Sequence, residues 1–119
     1  MSYSMGRLFK RFGFAFNGVK IVSASQQNFR IHAVVAVIVV AAGILTRLTA
    51  MEWCVIVILI ALVFAMEIMN SAMEKLVDFV SPGFHEQAGA VKDMSAAAVL
   101  VTAIAAVIAG LIIFVPKLI

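Results

Sequence analysis

Residues 53–78 read WCVIVILIALVFAMEIMNSAMEKLVD. The first half, Trp53 to Met66, carries no charge. The second half runs on without a proline or glycine into a set of polar residues whose spacing is helical. At about 100° per residue, Glu67, Asn70, Ser71, Glu74 and Asp78 fall within about 60° either side of one line along the helix. Ile68, Met69, Ala72, Met73, Leu76 and Val77 lie on the opposite face. A soluble helix would give such a polar stripe to water. Here it continues a membrane-spanning segment, and a carboxylate in that setting is expensive enough that a functional role is the default reading.

The composition supports a membrane setting. Of 119 residues, 65% are hydrophobic and 13% charged, with a mean hydropathy of +1.16. Soluble domains hold about half apolar and about a quarter charged residues. The chain is therefore read as one all-α integral-membrane domain covering residues 1–119. A spanning helix takes about 20 residues, so three spans and their connections use this length, and any active site lies at or inside the bilayer. The basic residues are scattered, and nucleic acid is not expected as a partner. Cys54 lies alone in WCVIVILI and reads as a small packing residue. The first residues lack a continuous apolar run ending at a small-residue cleavage site, so no cleaved signal peptide is expected.

Working outward, the segment before Trp53 is a short link from Arg47 to Glu52, which makes the first two spans antiparallel neighbours. Trp53 marks the far interface. The first span runs over about 29–47. Its uncharged core, residues 31–46, rises roughly 24 Å, with Arg30 and Arg47 snorkelling at the ends. His32 reads as an interfacial histidine rather than a ligand. Ser23 to Asn28, SASQQN, is a polar break. Before it, about residues 5–20 form an amphipathic surface helix, with Leu8, Phe9, Phe12, Phe16 and Val19 set against Arg7, Lys10, Arg11 and Lys20. GFAFNGVK, residues 13–20, spaces two glycines like a phosphate loop, but Val19 stands where the lysine belongs and no strand precedes it.

The second span covers about 52–79. Trp53 to Glu67 is roughly 21 Å of rise against about 30 Å of hydrocarbon. Glu67 is thus inside the bilayer, Glu74 reaches the headgroup boundary and Asp78 lies beyond it. Ser81, Pro82 and Gly83 end that helix. The third span, about 86–115, passes Lys92 and Asp93 and then runs uncharged to Val115, closed by Pro116 and Lys117. Its many alanines allow close helix approach. Arg7, Lys10, Arg11, Lys20, Arg30, Lys75 and Lys92 fall on one side of the membrane and only Arg47 and Lys117 on the other. By the positive-inside rule, the amino terminus and the polar cluster are cytoplasmic.

The residue types narrow the chemistry. Hard carboxylates near water suit Mg²⁺ whose remaining shell comes from phosphates, a lysine can hold phosphate as a point charge, and a deeper carboxylate can act as general base toward a hydroxyl. At the bilayer edge that hydroxyl belongs to a lipid. Phosphoryl transfer to a membrane alcohol fits this set. A small proton-coupled transporter using Glu67, or a non-catalytic assembly subunit, stays open on spacing alone.

The run Glu67-Ile-Met-Asn70-Ser71-Ala-Met-Glu74-Lys-Leu-Val-Asp78, followed by His85-Glu86 and Lys92-Asp93-Met-Ser-Ala-Ala-Ala-Val-Leu, resembles the signature of the bacterial integral-membrane lipid kinases, the diacylglycerol kinase and undecaprenol kinase family. The resemblance covers nearly the whole chain. It implies a homotrimer in the bacterial inner membrane with sites shared between subunits, and ATP and Mg²⁺ at the cytoplasmic surface. Carried over by position, Glu67 would take the proton from the lipid hydroxyl, with Ser71 beside the lipid. Asn70 would position the reacting groups and Glu74 would bind metal beside the nucleotide. Lys92 would hold nucleotide phosphate, Asp93 and Asp78 would support the site, and Glu86 and His85 would lie toward the nucleoside. The family usually has a second metal-binding glutamate before NFR, where this chain has Gln26. That departure implies weaker Mg²⁺ binding. Asn70-Ser71, His85-Glu86 and the Lys92 run look more like the diacylglycerol branch, whereas NFRIH and SPGFH are also at home among undecaprenol kinases.

Overall fold

The computed structural model describes residues 4–119 as four helices without a strand. Helix α1 is Met5–Ser25, α2 is Gln27–Thr46, α3 is Ala50–Val80 and α4 is Glu86–Leu118. The last three are long and apolar enough to cross a membrane, as the composition requires. α1 begins at Ser4, whose side chain accepts a hydrogen bond from the Arg7 amide at 3.3 Å.

The expected polar break at SASQQN shrinks to one residue. Ser23 Oγ donates to the Lys20 carbonyl and Ser25 Oγ to the Ile21 carbonyl, so these hydroxyls are absorbed into α1 and the surface helix reaches Ser25 rather than Lys20. Only Gln26 is extended, with φ −118° and ψ 112°, and it caps both α1 and α2. At its other end α2 closes on Arg47 in the left-handed region, φ 57°. The Leu48 amide donates back to the Gly43 carbonyl at 3.3 Å.

Thr49 then starts α3 with a capping box. Its hydroxyl accepts from the Glu52 amide at 3.2 Å, and the Glu52 carboxylate accepts from the Thr49 amide at 2.9 Å. Glu52 also receives Lys117 Nζ from the end of α4 at 3.1 Å. α4 continues through Pro116 to Leu118, three residues past the expected end at Val115. In the last turn a proline forfeits only a single backbone bond.

α3 and α4 make the most extensive helix contact, while α2 leans on α3 over a shorter stretch. Leu48, Ile56 and Ile113 are buried together at the far end, with Val39, Trp53 and Phe114 packed round them. The buried residues of α3 are Ile56, Val63, Glu67 and Ser71, spaced by seven, four and four along one stripe. The polar face of the sequence therefore continues the packed face of the helix. Cys54 is exposed, contrary to its reading as a packing residue. It stands two residues before Ile56, about 200° round the helix from the buried stripe.

Trp53 serves as more than an interface marker, because a Cβ placed on Gly43 would lie 2.8 Å from its ring and 2.8 Å from the Leu48 side chain. The flat ring lies against bare α2 backbone. Gly43→Val should therefore destabilise the protein by about 1–3 kcal/mol, measured as a lowered unfolding midpoint in detergent; an unchanged midpoint would show that the ring is not wedged there.

Candidate active site

At 31 and 33 residues, α3 and α4 would rise roughly 46 and 50 Å, well beyond the hydrocarbon thickness of about 30 Å. The excess on α3 carries the polar run, which passes in steps from a buried carboxylate to water. Glu67 and Ser71 are each 4% exposed. Asn70 and Glu74 are half-buried, and Asp78 is exposed.

The buried carboxylate is met by α2. His32 Nε2 lies 3.0 Å from Glu67 Oε1. Nearby, Phe29 and Phe64 stack tilted with centroids 5.1 Å apart, closing α2 on α3 by an aromatic contact. His32, read as interfacial from the sequence, is thus the polar partner of the deepest acid. A depth comparison could have found it, since His32 is five residues into α2, roughly 7.5 Å along it, in the same half of the span as Glu67.

One turn along α3, Asn70 Nδ2 donates to Glu74 Oε1 at 3.3 Å. Asn70 Oδ1 is buried without a partner. Such an orphaned acceptor calls for a donor or a cation, and beside a carboxylate it makes a pair of hard oxygens. Among the described residues no three acidic, histidine or cysteine side chains converge as a metal cage. Mg²⁺ does not need one, since it binds by one or two carboxylates with water and phosphate completing its shell. Glu74 and Asn70 fit that mode. Gln26, at the α1–α2 junction, makes no side-chain cap hydrogen bond.

Lys92 on α4 forms an ion pair with Asp78. This pairing sets Lys92 at the outer end of the polar stripe, because Asp78 is eleven residues past Glu67, roughly 16 Å along the helix. The reason is the link through Ser81, Pro82 and Gly83, which delays α4 until Glu86 and sets Lys92 at the outer end of α3. Asp93 and Glu86 are exposed on α4. His85 caps that helix, its Nδ1 accepting from the Gln87 amide at 3.1 Å, so one ring nitrogen is already engaged. The polar residues therefore form a graded column: His32–Glu67 at the buried end, Asn70–Glu74 half-buried, and Asp78–Lys92 at the exposed end.

Between α2, α3 and α4 lies a cleft of about 490 Å³. Ile31, Val35, Ile60, Val63 and Phe114 are among its walls, and His32 is the polar residue of its lining. An apolar molecule in this cleft would meet the imidazole at its inner polar edge.

A sequence-family model described as prokaryotic diacylglycerol kinase matches residues 13–114. The chain is similar to the undecaprenol kinase of Bacillus subtilis (strain 168), 40% identical over 114 residues covering 96% of this chain and 93% of that protein. It is also similar to the diacylglycerol kinase of Synechocystis sp., 42% identical over 108 residues covering 90% of this chain and 62% of that protein. The diacylglycerol kinase of Escherichia coli (strain K12) is 32% identical over 102 residues, 86% of this chain and 84% of that protein.

Because the Asp78 side chain is 64% exposed and that of Lys92 38%, their ion pair should add little to stability. A double-mutant cycle with Asp78→Asn and Lys92→Met, monitored by unfolding in detergent, should give a coupling of about 1 kcal/mol or less. A markedly larger coupling would mean that the pair fixes α3 on α4.

Proposed function

The chain belongs to the prokaryotic diacylglycerol kinase family, and from that premise we propose that it moves the γ-phosphate of ATP to the hydroxyl of a membrane lipid at the cytoplasmic face of the bacterial inner membrane. The observation that carries the reading is the graded column on α3, which sets a buried carboxylate beside an apolar cleft and a lysine at the water side. The acceptor and the donor of the phosphoryl group come from different phases. A site for both must run across the bilayer edge.

Glu67 accepts the proton of the lipid hydroxyl as its oxygen bonds to the γ-phosphorus and the bond to the β-γ bridging oxygen breaks, releasing ADP. Ser71, one turn on and equally buried, lines the same face beside the lipid. Asn70 and Glu74 would hold Mg²⁺ with the nucleotide, and Asn70 also orients the reacting groups. The metal would supply charge neutralisation to the transferring phosphate. Lys92 takes phosphate as a point charge. Asp78 keeps that lysine near the column and yields it to the more highly charged triphosphate. Asp93, Glu86 and the outer nitrogen of His85 face the rest of the nucleotide. A homotrimer would cover the apolar faces that one chain leaves open, such as Val37 and Leu45, which are 70% and 82% exposed.

Diacylglycerol is the first reading for the acceptor, as the family description and the Synechocystis and Escherichia coli relatives are named for it. Undecaprenol is the second, favoured by the similarity to the Bacillus subtilis protein, which runs nearly the full length of both chains. Both are lipid alcohols.

The test is ATP-dependent phosphorylation by the purified protein in mixed micelles, with the two lipids offered separately across a magnesium series. One lipid should be phosphorylated, and Glu67→Gln should reduce its turnover by roughly 10²- to 10⁴-fold. Folded protein that transfers phosphate to neither lipid at any magnesium level would overturn the reading. In the same assay, Gln26→Glu should lower the magnesium concentration giving half-maximal rate, because a carboxylate restores a charge that the amide lacks; an unchanged magnesium curve would remove Gln26 from the metal site.

A further inference from the structure

Glu67 is the acid that the proposed reaction places in contact with the lipid hydroxyl, and a base of this kind works only if its oxygen is held where the hydroxyl arrives. α3 alone does not hold it. A glutamate has three side-chain torsions, and the residues on either side, Met66 and Ile68, offer it no hydrogen bond. The polar contact it has is on another helix, at His32, 3.0 Å from Nε2 to Oε1. A carboxylate only accepts, so Nε2 carries the proton and donates. Oε2 is left to meet the substrate.

His32 also lines the apolar cleft, whose other walls are hydrocarbon side chains, alanine and glycine. Its ring thus has one edge on the carboxylate and one on the space from which an apolar substrate would approach. Glu67 itself is 4% exposed. A histidine serving only to satisfy a buried acid could sit on any side of it; this one also lines the cleft.

We propose that His32 is a positioning residue for phosphoryl transfer, donating from Nε2 to Glu67 Oε1 so that Oε2 faces a lipid hydroxyl at the polar end of the cleft. This rests on the reading of Glu67 as the base. The proton balance is simple: the hydroxyl proton passes to Glu67 as the lipid oxygen bonds to the γ-phosphorus and ADP leaves, and the His32–Glu67 pair goes from one negative charge to neutral. His32 itself forms no bond to substrate. Its contribution is orientation, where a misplacement of about 1 Å can lower a rate about 100-fold.

The test uses His32→Leu, which keeps apolar volume and removes the donor, and His32→Gln, whose amide nitrogen can reach the place of Nε2. Turnover and KM for ATP are measured in lipid nanodiscs, beside ¹⁵N spectra of the imidazole rings in the intact protein. The chain has two histidines, so the His32 signals are identified by their loss in either variant. The expected result is a kcat for His32→Leu lowered roughly 10- to 100-fold with KM for ATP unchanged, substantial recovery in His32→Gln, and His32 ring shifts that move in Glu67→Gln. Wild-type kcat in His32→Leu, or a folded His32→Gln no more active than His32→Leu, would overturn the proposal. If His32→Leu does not fold, the ring shifts decide: shifts indifferent to Glu67→Gln overturn it, and shifts that move together with high activity in His32→Gln uphold it. A fully active Glu67→Gln would refute the base itself, and is told apart from failure of the positioning role because the ring shifts still report the contact.

Discussion

Burying a carboxylate in an apolar helix is the constraint on which the rest of this structure depends. An acid at the centre of a spanning helix is unfavourable by about 2.5–3.5 kcal/mol even on the mildest scales, and a buried acceptor without a donor costs more than a satisfied one. Glu67 is tolerated because α2 brings His32 to 3.0 Å. That contact ties the first span to the second at one end, where the Phe29–Phe64 ring pair adds apolar contact. The short link through Leu48 and the Trp53–Gly43 packing tie them at the other end. Chemistry and helix packing thus share the same few residues.

The pairing of α3 with α4 has a different basis. Both helices are longer than the bilayer is thick, so both end in water, and each end holds an ion pair: Glu52 with Lys117 on one side, Asp78 with Lys92 on the other. Near the surface such pairs add modestly to stability. Their value lies in register, since a slide of one turn along the interface would break both. At the Lys92 end the register keeps that lysine in line with the polar column of α3.

α2 stands away from α4, and the apolar cleft is the result. A fully packed three-helix bundle would close this space. The many small residues of α4, among them Ala103, Ala106 and Gly110 on the cleft wall, keep that space open.

Much of this is legible along the chain because its signals are local. Length and hydropathy specify three spans, since a bilayer accepts only helices whose backbone groups are satisfied internally. The 3.6-residue period aligns Glu67, Asn70, Ser71, Glu74 and Asp78, and counting from Trp53 places Glu67 inside the membrane. The SASQQN break is shorter than its composition suggests because serine hydroxyls can bond back into a helix as readily as they end one. The His32–Glu67 contact, the pairing of Lys92 with Asp78, the exposure of Cys54 and the cleft between α2 and α4 were decided only by tertiary structure. Each depends on how far one helix is shifted or splayed against another. That is set by side-chain packing and interhelical polar contacts between residues far apart in the chain, 35 positions for His32 and Glu67 and 65 for Glu52 and Lys117, and no periodicity within a single helix records it.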